Sequence, residues 1–445
     1  MEQTKAYIAA NRERFLDELG ALCGQPSIAA LGIGLEETAT LIEDRLTGLG
    51  AQVRRISIGA GAPIVYAELG EGERTMLIYN HYDVQPADPM NEWESPPFQL
   101  TQRDGRLYAR GVADCKGDLM CRLQAIEAYQ ATVGLLPLRI KFLIEGEEEV
   151  GSPHLAAFAE QYPDLLQADG CLWESGGKDV ARRFLLEFGV KGLCYVELKV
   201  RTASSDLHSM WGGVVPDAAW RLVWALNTLK DADDRILVNS LMERVRPPTE
   251  LERQHLATIP FDEDKVKEIF GISAFIRGLT GVDLLVEHFY MPTCTISGLK
   301  SGYIEQGQKT VLPCTAMAKV SFRLVPDLTP DLVADLLRAH LDRRGFSDIE
   351  IEILGGIMPA RSPMNAPFAR ACVEAARVTY GVEPIVYPTS PGSGPLYQLC
   401  RGTPAAMAGV SHTNCHIHAP NENIYLEDYF QGIHFVGELI RRFSE

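Results

Sequence analysis

The stretch Leu136-Pro137-Leu138-Arg139-Ile140-Lys141-Phe142-Leu143-Ile144-Glu145-Gly146-Glu147-Glu148-Glu149-Val150-Gly151-Ser152 runs from an apolar strand directly into four carboxylates. Acids this close repel one another, and each costs several kcal/mol to desolvate at the end of a buried strand. Something positive is required there. Upstream, the apolar run Thr75 to Tyr79 is likewise followed by His81-Tyr82-Asp83, and the turn Asp114-Cys115-Lys116-Gly117 lies between the two strands. Glu174 and the cluster His412, His416 and His418 come later. Imidazoles and carboxylates placed at strand ends and sharp turns are the ligand supply of a two-zinc hydrolase site.

Outward from these strands, residues 1 to about 190 alternate between helical and strand patterns. Ala6 to Leu22 and Glu36 to Leu49 carry helical apolar spacing, Val65 to Leu69 reads as a strand, and Asp118 to Tyr129 as a helix between two strands. Strand–helix–strand order predicts a right-handed crossover and a largely parallel sheet, whose functional groups gather beyond the carboxyl ends of its strands. A second pattern follows from about 191 to 359. Gly192 to Val200 and Met317 to Leu324 alternate as strands, Pro216 suits the first turn of a helix reaching Leu229, and Thr329 caps another. Pro247 to Thr280 has no clear period and reads as an irregular extension. From about 360 the first pattern returns, with a helix over Pro367 to Tyr380, a short strand at Ile385 to Tyr387 and a terminal helix over Ile424 to Phe443. The expectation is an α/β protein: a catalytic domain of mixed, largely parallel sheet flanked by helices (1–190 and 360–445), interrupted by an inserted α+β sandwich (191–359).

A length of 445 residues favours two domains over one core. The net charge of −17 argues against a nucleic-acid partner and gives no attraction to anionic membranes. No apolar run approaches the roughly 20 residues that span a bilayer. Met1 to Lys5 opens a polar helical stretch rather than a signal peptide, so a cytoplasmic protein is expected. The ten cysteines include no Cys-x-x-Cys pair and read as buried, reduced packing residues, apart from Cys115 in the acidic turn.

Six blocks in order carry a family resemblance. Tyr79-Asn80-His81-Tyr82-Asp83-Val84-Gln85-Pro86 leads on to Trp93, Pro97-Phe98 and Gly105 to Gly117. The glutamate cluster, Asp206-Leu207-His208-Ser209, Ser321 to Pro326 and His418-Ala419-Pro420-Asn421-Glu422 follow. Together they resemble the carnosinase and cytosolic non-specific dipeptidase branch of the di-zinc amidohydrolases, the family that also holds aminoacylase, glutamate carboxypeptidase and succinyl-diaminopimelate desuccinylase. The resemblance implies that His81 and Glu174 hold one metal, Glu149 and His418 the other, and that Asp114 bridges both. It implies two Zn2+, with Mn2+ or Co2+ as substitutes, and a metal-bridging water. Glu148 resembles the family's general base, with Glu145 and Glu147 as rivals on sequence alone, and Asp83 the hydrogen-bond partner of His81. The Asp114–Cys115 peptide bond is expected to be cis. In the inserted lid or dimerisation domain, His208 resembles an oxyanion donor that reaches over from a partner subunit, and Arg323 a grip for a substrate carboxylate. Gly392-Ser393-Gly394 reads as a backbone-donating substrate loop.

Some positions depart from the dipeptidase pattern. Glu174 stands where that branch usually has Asp, Cys115 is unusual, the loop from His208 to Gly213 is a residue short, and Trp211 either lines the pocket or packs at the hinge. Pro388 to Pro395 lacks the motif expected near a dipeptide amine. The expected function is a homodimeric metallopeptidase of dipeptidase or carboxypeptidase type, cleaving an amide next to a free carboxylate. An N-acyl-amino-acid deacylase is the alternative, and a non-catalytic binding protein the remote one.

Overall fold

The computed structural model describes residues 1–445. The chain divides into two compact units, one of residues 1–189, 361–388 and 396–445, the other of 190–360 and 389–395.

In the first unit eight strands lie in the order Gln52–Ile56, Ile64–Leu69, Arg139–Glu145, Thr75–His81, Gly170–Trp173, Ala405–Met407, Leu185–Glu187 and Ile385–Tyr387. The four strands from Arg139–Glu145 to Ala405–Met407 are parallel, and the antiparallel pairings lie on either side of them. Parallel strands are covered on both faces, which is why these segments read as continuous apolar runs rather than alternating ones. Lys141 interrupts its run, its Nζ donating to the Asp164 and Gln167 carbonyls. The helices Lys116–Thr132 and Leu426–Ser444 contribute Leu119, Leu123, Ile433 and Ile440 to one core with Met76, Ile78 and Phe142. This is the expected α/β arrangement.

The second unit has a four-stranded antiparallel sheet in the order Thr293–Ser301, Thr315–Leu324, Gly192–Arg201, Glu350–Ile357. The strand Thr315–Leu324 buries every second residue, and Val320 and Phe322 pack with Leu222 and Leu337 of two helices, Ala218–Leu226 and Pro330–Arg343. Thr329 caps the latter, its hydroxyl accepting the Leu332 N–H.

Four local expectations are corrected. Ala6 to Leu22 is not one helix but two, Glu2–Ala10 and Arg12–Gly24, broken at Asn11, whose side-chain amide takes the Tyr7 carbonyl. A short polar side chain competes here with the helical ladder. Pro216 lies outside its helix, which starts at Ala218 behind an Asp217 cap accepting the Ala219 and Trp220 N–H groups and ends at Leu226. Pro247 to Thr280 contains two helices, Glu250–Thr258 and Glu263–Phe270, the first opened by a Thr249/Glu252 capping box. Finally, residues 389–395 belong to the second unit, since Lys191 N–H donates to the Ser390 and Gly392 carbonyls and Ser393 Oγ to Gly192 O. No helix is long and apolar enough to cross a membrane.

Candidate metal centre

The strands Thr75–His81 and Arg139–Glu145 are in parallel register, His81 opposite Glu145, so the chain leaves both at one edge of the sheet. Gly170–Trp173, the next strand, delivers Glu174 to that edge. Asp83 then ties two of the loops together: its carboxylate accepts the Glu148 and Glu149 N–H groups at 3.1 and 3.0 Å. The Asp114–Cys115 bond is cis, as expected, and Lys116 begins the helix that follows.

Two groups of ligand atoms meet on Asp114. His81 Nε2 lies 3.0 Å from Asp114 Oδ1 and 3.3 Å from Glu174 Oε2. His418 Nε2 lies 3.1 Å from both Asp114 Oδ2 and Glu149 Oε2. Each oxygen of Asp114 thus faces a different imidazole, and each imidazole a different second carboxylate. His81 Nδ1 donates to the Asp83 carbonyl at 2.9 Å, an acceptor only, and this turns Nε2 into the cluster. Asp83 is thus the partner of His81 through its backbone carbonyl, while its carboxylate is mainly engaged by the Glu148 and Glu149 amides, with Oδ1 at 3.4 Å from the ring.

The charge state shows what the cluster needs. The carboxylates of Asp114 and Glu149 push His418 up to about 10. Burial alone would raise Asp114, yet the His418 and His81 rings hold its carboxyl below the usual range. Burial drives Glu174 well above it, against the pull of His81. Three carboxylates and two imidazoles facing one another at 3.0–3.3 Å call for concentrated positive charge. Asp114, Glu149 and His418 form one set that could hold a metal ion, and His81 with Asp114 lies at the centre of the other. A donor set of imidazole nitrogen and carboxylate oxygen fits a pair of divalent ions. Cys115 Sγ is also near the His81 side, but it donates to His81 O at 3.2 Å, and burial lifts its thiol to about 12.

Of the three rival glutamates, Glu145 is buried and accepts from the Tyr79 and Ser152 hydroxyls, with its carboxyl lifted to about 7 by burial. Glu147 takes His154 Nδ1 at 2.7 Å. Glu148 alone keeps its carboxyl group free of hydrogen bonds from the chain; burial raises its pKa, with His81 opposing. His412 and His416 are engaged by Asn423 and the Pro420 carbonyl, leaving His418 as the late histidine at the cluster.

In the second unit, Arg323 Nη1 donates to Ser393 Oγ at 2.6 Å, which joins two of the substrate-site candidates. Gly392 carries the carbonyl that receives Lys191 N–H, and Gly394 makes no comparable contact. His208 is exposed; its Nδ1 accepts the Met210 N–H, so the ring proton sits on Nε2. Trp211 is half exposed.

Sequence reasoning missed three residues here. Gln85 donates to Glu149 Oε2 at 2.9 Å, Asp118 accepts the Val410 N–H at 2.8 Å, and Glu422 lies beneath the Asp114 turn. Gln85 and Glu422 stand inside the recognised blocks, which was the only signal available for them.

Residues 77–442 match the description "Peptidase family M20/M25/M40". The chain is 29% identical over 422 residues to Beta-Ala-His dipeptidase of Rattus norvegicus, covering 88% of this chain and 84% of that one. It is 30% identical over 368 residues to Cys-Gly metallodipeptidase dug1 of Schizosaccharomyces pombe, covering 77% and 76%. Among solved structures, a metallo-carboxypeptidase of the same family from Sulfolobus solfataricus superposes with a TM-score of 0.88 at 36% identity, over 97% of this chain and 99% of that one.

Proposed function

The chain belongs to peptidase family M20/M25/M40 and is a metallopeptidase, and from that premise we propose that it uses two zinc ions to hydrolyse the amide next to a free carboxylate in dipeptides and other short peptides. The observation that carries this is Asp114, each of whose oxygens faces its own imidazole, each imidazole in turn facing a second carboxylate, with Glu148 beside them and uncommitted.

His81, Glu174 and Asp114 would hold one ion, and Glu149, His418 and Asp114 the other. When bound, the pair supplies Lewis-acid polarisation of the scissile carbonyl and a nucleophile active near neutral pH. Glu148 takes the proton from the attacking water at its carboxylate and returns it to the departing amine nitrogen. Asp83, through the Glu148 and Glu149 amides and the His81 ring, sets the base and two ligands at fixed separation. Arg323, steadied by Ser393, presents its remaining N–H groups to the substrate carboxylate. His208, with its proton on Nε2, is in the tautomer that stabilises an oxyanion. Gly392 and Gly394 flank Ser393 as a backbone-lined edge for the substrate. Ten unpaired cysteines support a reducing, cytoplasmic setting. A homodimer through the second unit is supported by the exposed helix face of Trp220, Val223 and Trp224.

The test is a hydrolysis panel of free dipeptides, N-blocked dipeptides and simple N-acyl amino acids, run after chelation and again after zinc, manganese or cobalt is restored. Release of the carboxy-terminal residue, lost on chelation and regained with metal, is expected. Cleavage confined to N-acyl amino acids would make the chain a deacylase. Equal cleavage of C-terminally amidated peptides would remove the carboxylate requirement.

A further inference from the structure

We propose that Glu422 is a positioning residue that locks Asp114 and His418 into one arrangement and thereby sets the affinity of the metal they share; this rests on the two-metal reading above. Glu422 is fully buried, yet its carboxylate faces a complete set of donors. Oε1 accepts the Ala113 and Asp114 N–H groups at 2.8 and 3.0 Å, and Oε2 accepts Gly111 N–H at 3.0 Å and Arg110 Nη1 at 2.5 Å. The turn that ends in the bridging aspartate is therefore wrapped around this one anion. Arg110 is itself buried, and its Nη2 reaches the Pro86 carbonyl, so the counter-charge cannot swing away.

The other end of the coupling lies in the chain. Glu422 follows His418 by four residues, in a loop where His416, His418 and Asn421 all have positive φ. Non-glycine residues keep that conformation only when their surroundings enforce it. Asn421 holds the loop from outside, accepting Glu94 N–H and donating to Glu92 O, and Glu422 holds it from inside. The same carboxylate thus fixes the backbone of Asp114 and the exit of the loop that carries His418. Asp114 serves both ions, but only the His418 loop is held by Glu422 as well, so the effect should be larger on the His418 side.

Glu422→Gln keeps the size but turns an NH2 group toward N–H donors, whichever way the amide is set. Chelated full-length protein is titrated with zinc by calorimetry, alongside the melting temperature of the metal-free form and kcat and KM across zinc concentrations. The expected result is that both sites weaken, the one held by His418 the more, by roughly 10–100-fold, the size usual for losing a hydrogen-bond partner behind a ligand. KM should be unchanged, and kcat should climb back as zinc is raised. A role in packing alone would lower the melting temperature without moving either affinity. If Glu422→Gln does not fold, Arg110→Met carries the test, since it leaves the three backbone donors in place; it should weaken the same sites, less severely. Wild-type affinities at both sites in whichever variant folds overturn the proposal. A single zinc in the wild-type protein would instead remove the two-metal reading, and the effect of Glu422 would then be read on that one affinity.

Discussion

At the scale of single residues, the centre is defined by which carboxylates are already spoken for. Glu145 and Glu147 are held by hydroxyl and imidazole donors, Glu149 by Gln85 and His418, and Glu174 lies against His81. Glu148 has no such partner, although its backbone is pinned by Asp83. A base must exchange protons freely, and a ligand must not, so this difference separates adjacent residues of the same type. Glu148→Gln should retain full metal content and lose roughly two to four orders of magnitude in kcat. Metal analysis and steady-state kinetics on the same preparation check this. Turnover near wild type with both sites filled would transfer the base role away from Glu148.

At the scale of elements, the ligands are only as well placed as the strand ends that bear them. Arg122, buried on the Lys116–Thr132 helix, donates to the carbonyls of Tyr79, Trp173 and Ala408 and to Asn80 Oδ1. Those carbonyls end three neighbouring strands of the sheet, at the edge where His81 and Glu174 emerge. Arg122→Met would strand all four acceptors in a dry interior, so a loss of about 3–5 kcal/mol is expected, read as a lower urea midpoint. Metal affinity should fall in parallel. None of this was legible in the sequence, because a lone arginine at a helical position looks like a solvated one. What could be read was local: apolar runs that end in acids or histidine, and spacing that carried the strands, the crossover helix and the Thr329 cap. The reading lost accuracy wherever one side chain outcompetes periodicity, as Asn11 does by taking a helical carbonyl, or where a cap overrides a proline, as Asp217 does. The pinning contacts of Asp83, Asp118 and Glu422 join residues tens to hundreds of positions apart, and no spacing rule reaches across such distances.

At the scale of the whole molecule, the metal-facing residues lie in the first unit and His208, Arg323 and Ser393 in the second. The second unit also exposes Trp220 and Trp224, stacked 5.8 Å apart on one helix, together with Met210, Trp211 and Val214 just before it. Large apolar side chains grouped this way are costly to leave in water and suit contact with a second copy of the chain. Because His208 directly precedes this surface, a two-fold dimer built on it would bring the histidine of one subunit toward the other. Two consequences can be measured. Trp220→Ser with Trp224→Ser should give a monomer by light scattering, with much reduced kcat and unchanged metal content. The sharper test is complementation: His208→Ala protein, inactive for want of the oxyanion donor, is mixed with Glu148→Gln protein, inactive for want of the base, and subunits are allowed to exchange. A mixed dimer then holds one site with a wild-type Glu148 and a wild-type His208 from the partner, while its other site lacks both. At equal mixing half of the dimers are mixed, so about a quarter of the wild-type activity should return. Exchange proven by labelled subunits, with no recovery of activity, would place His208 in service of its own chain and leave the dimer as a device for stability alone.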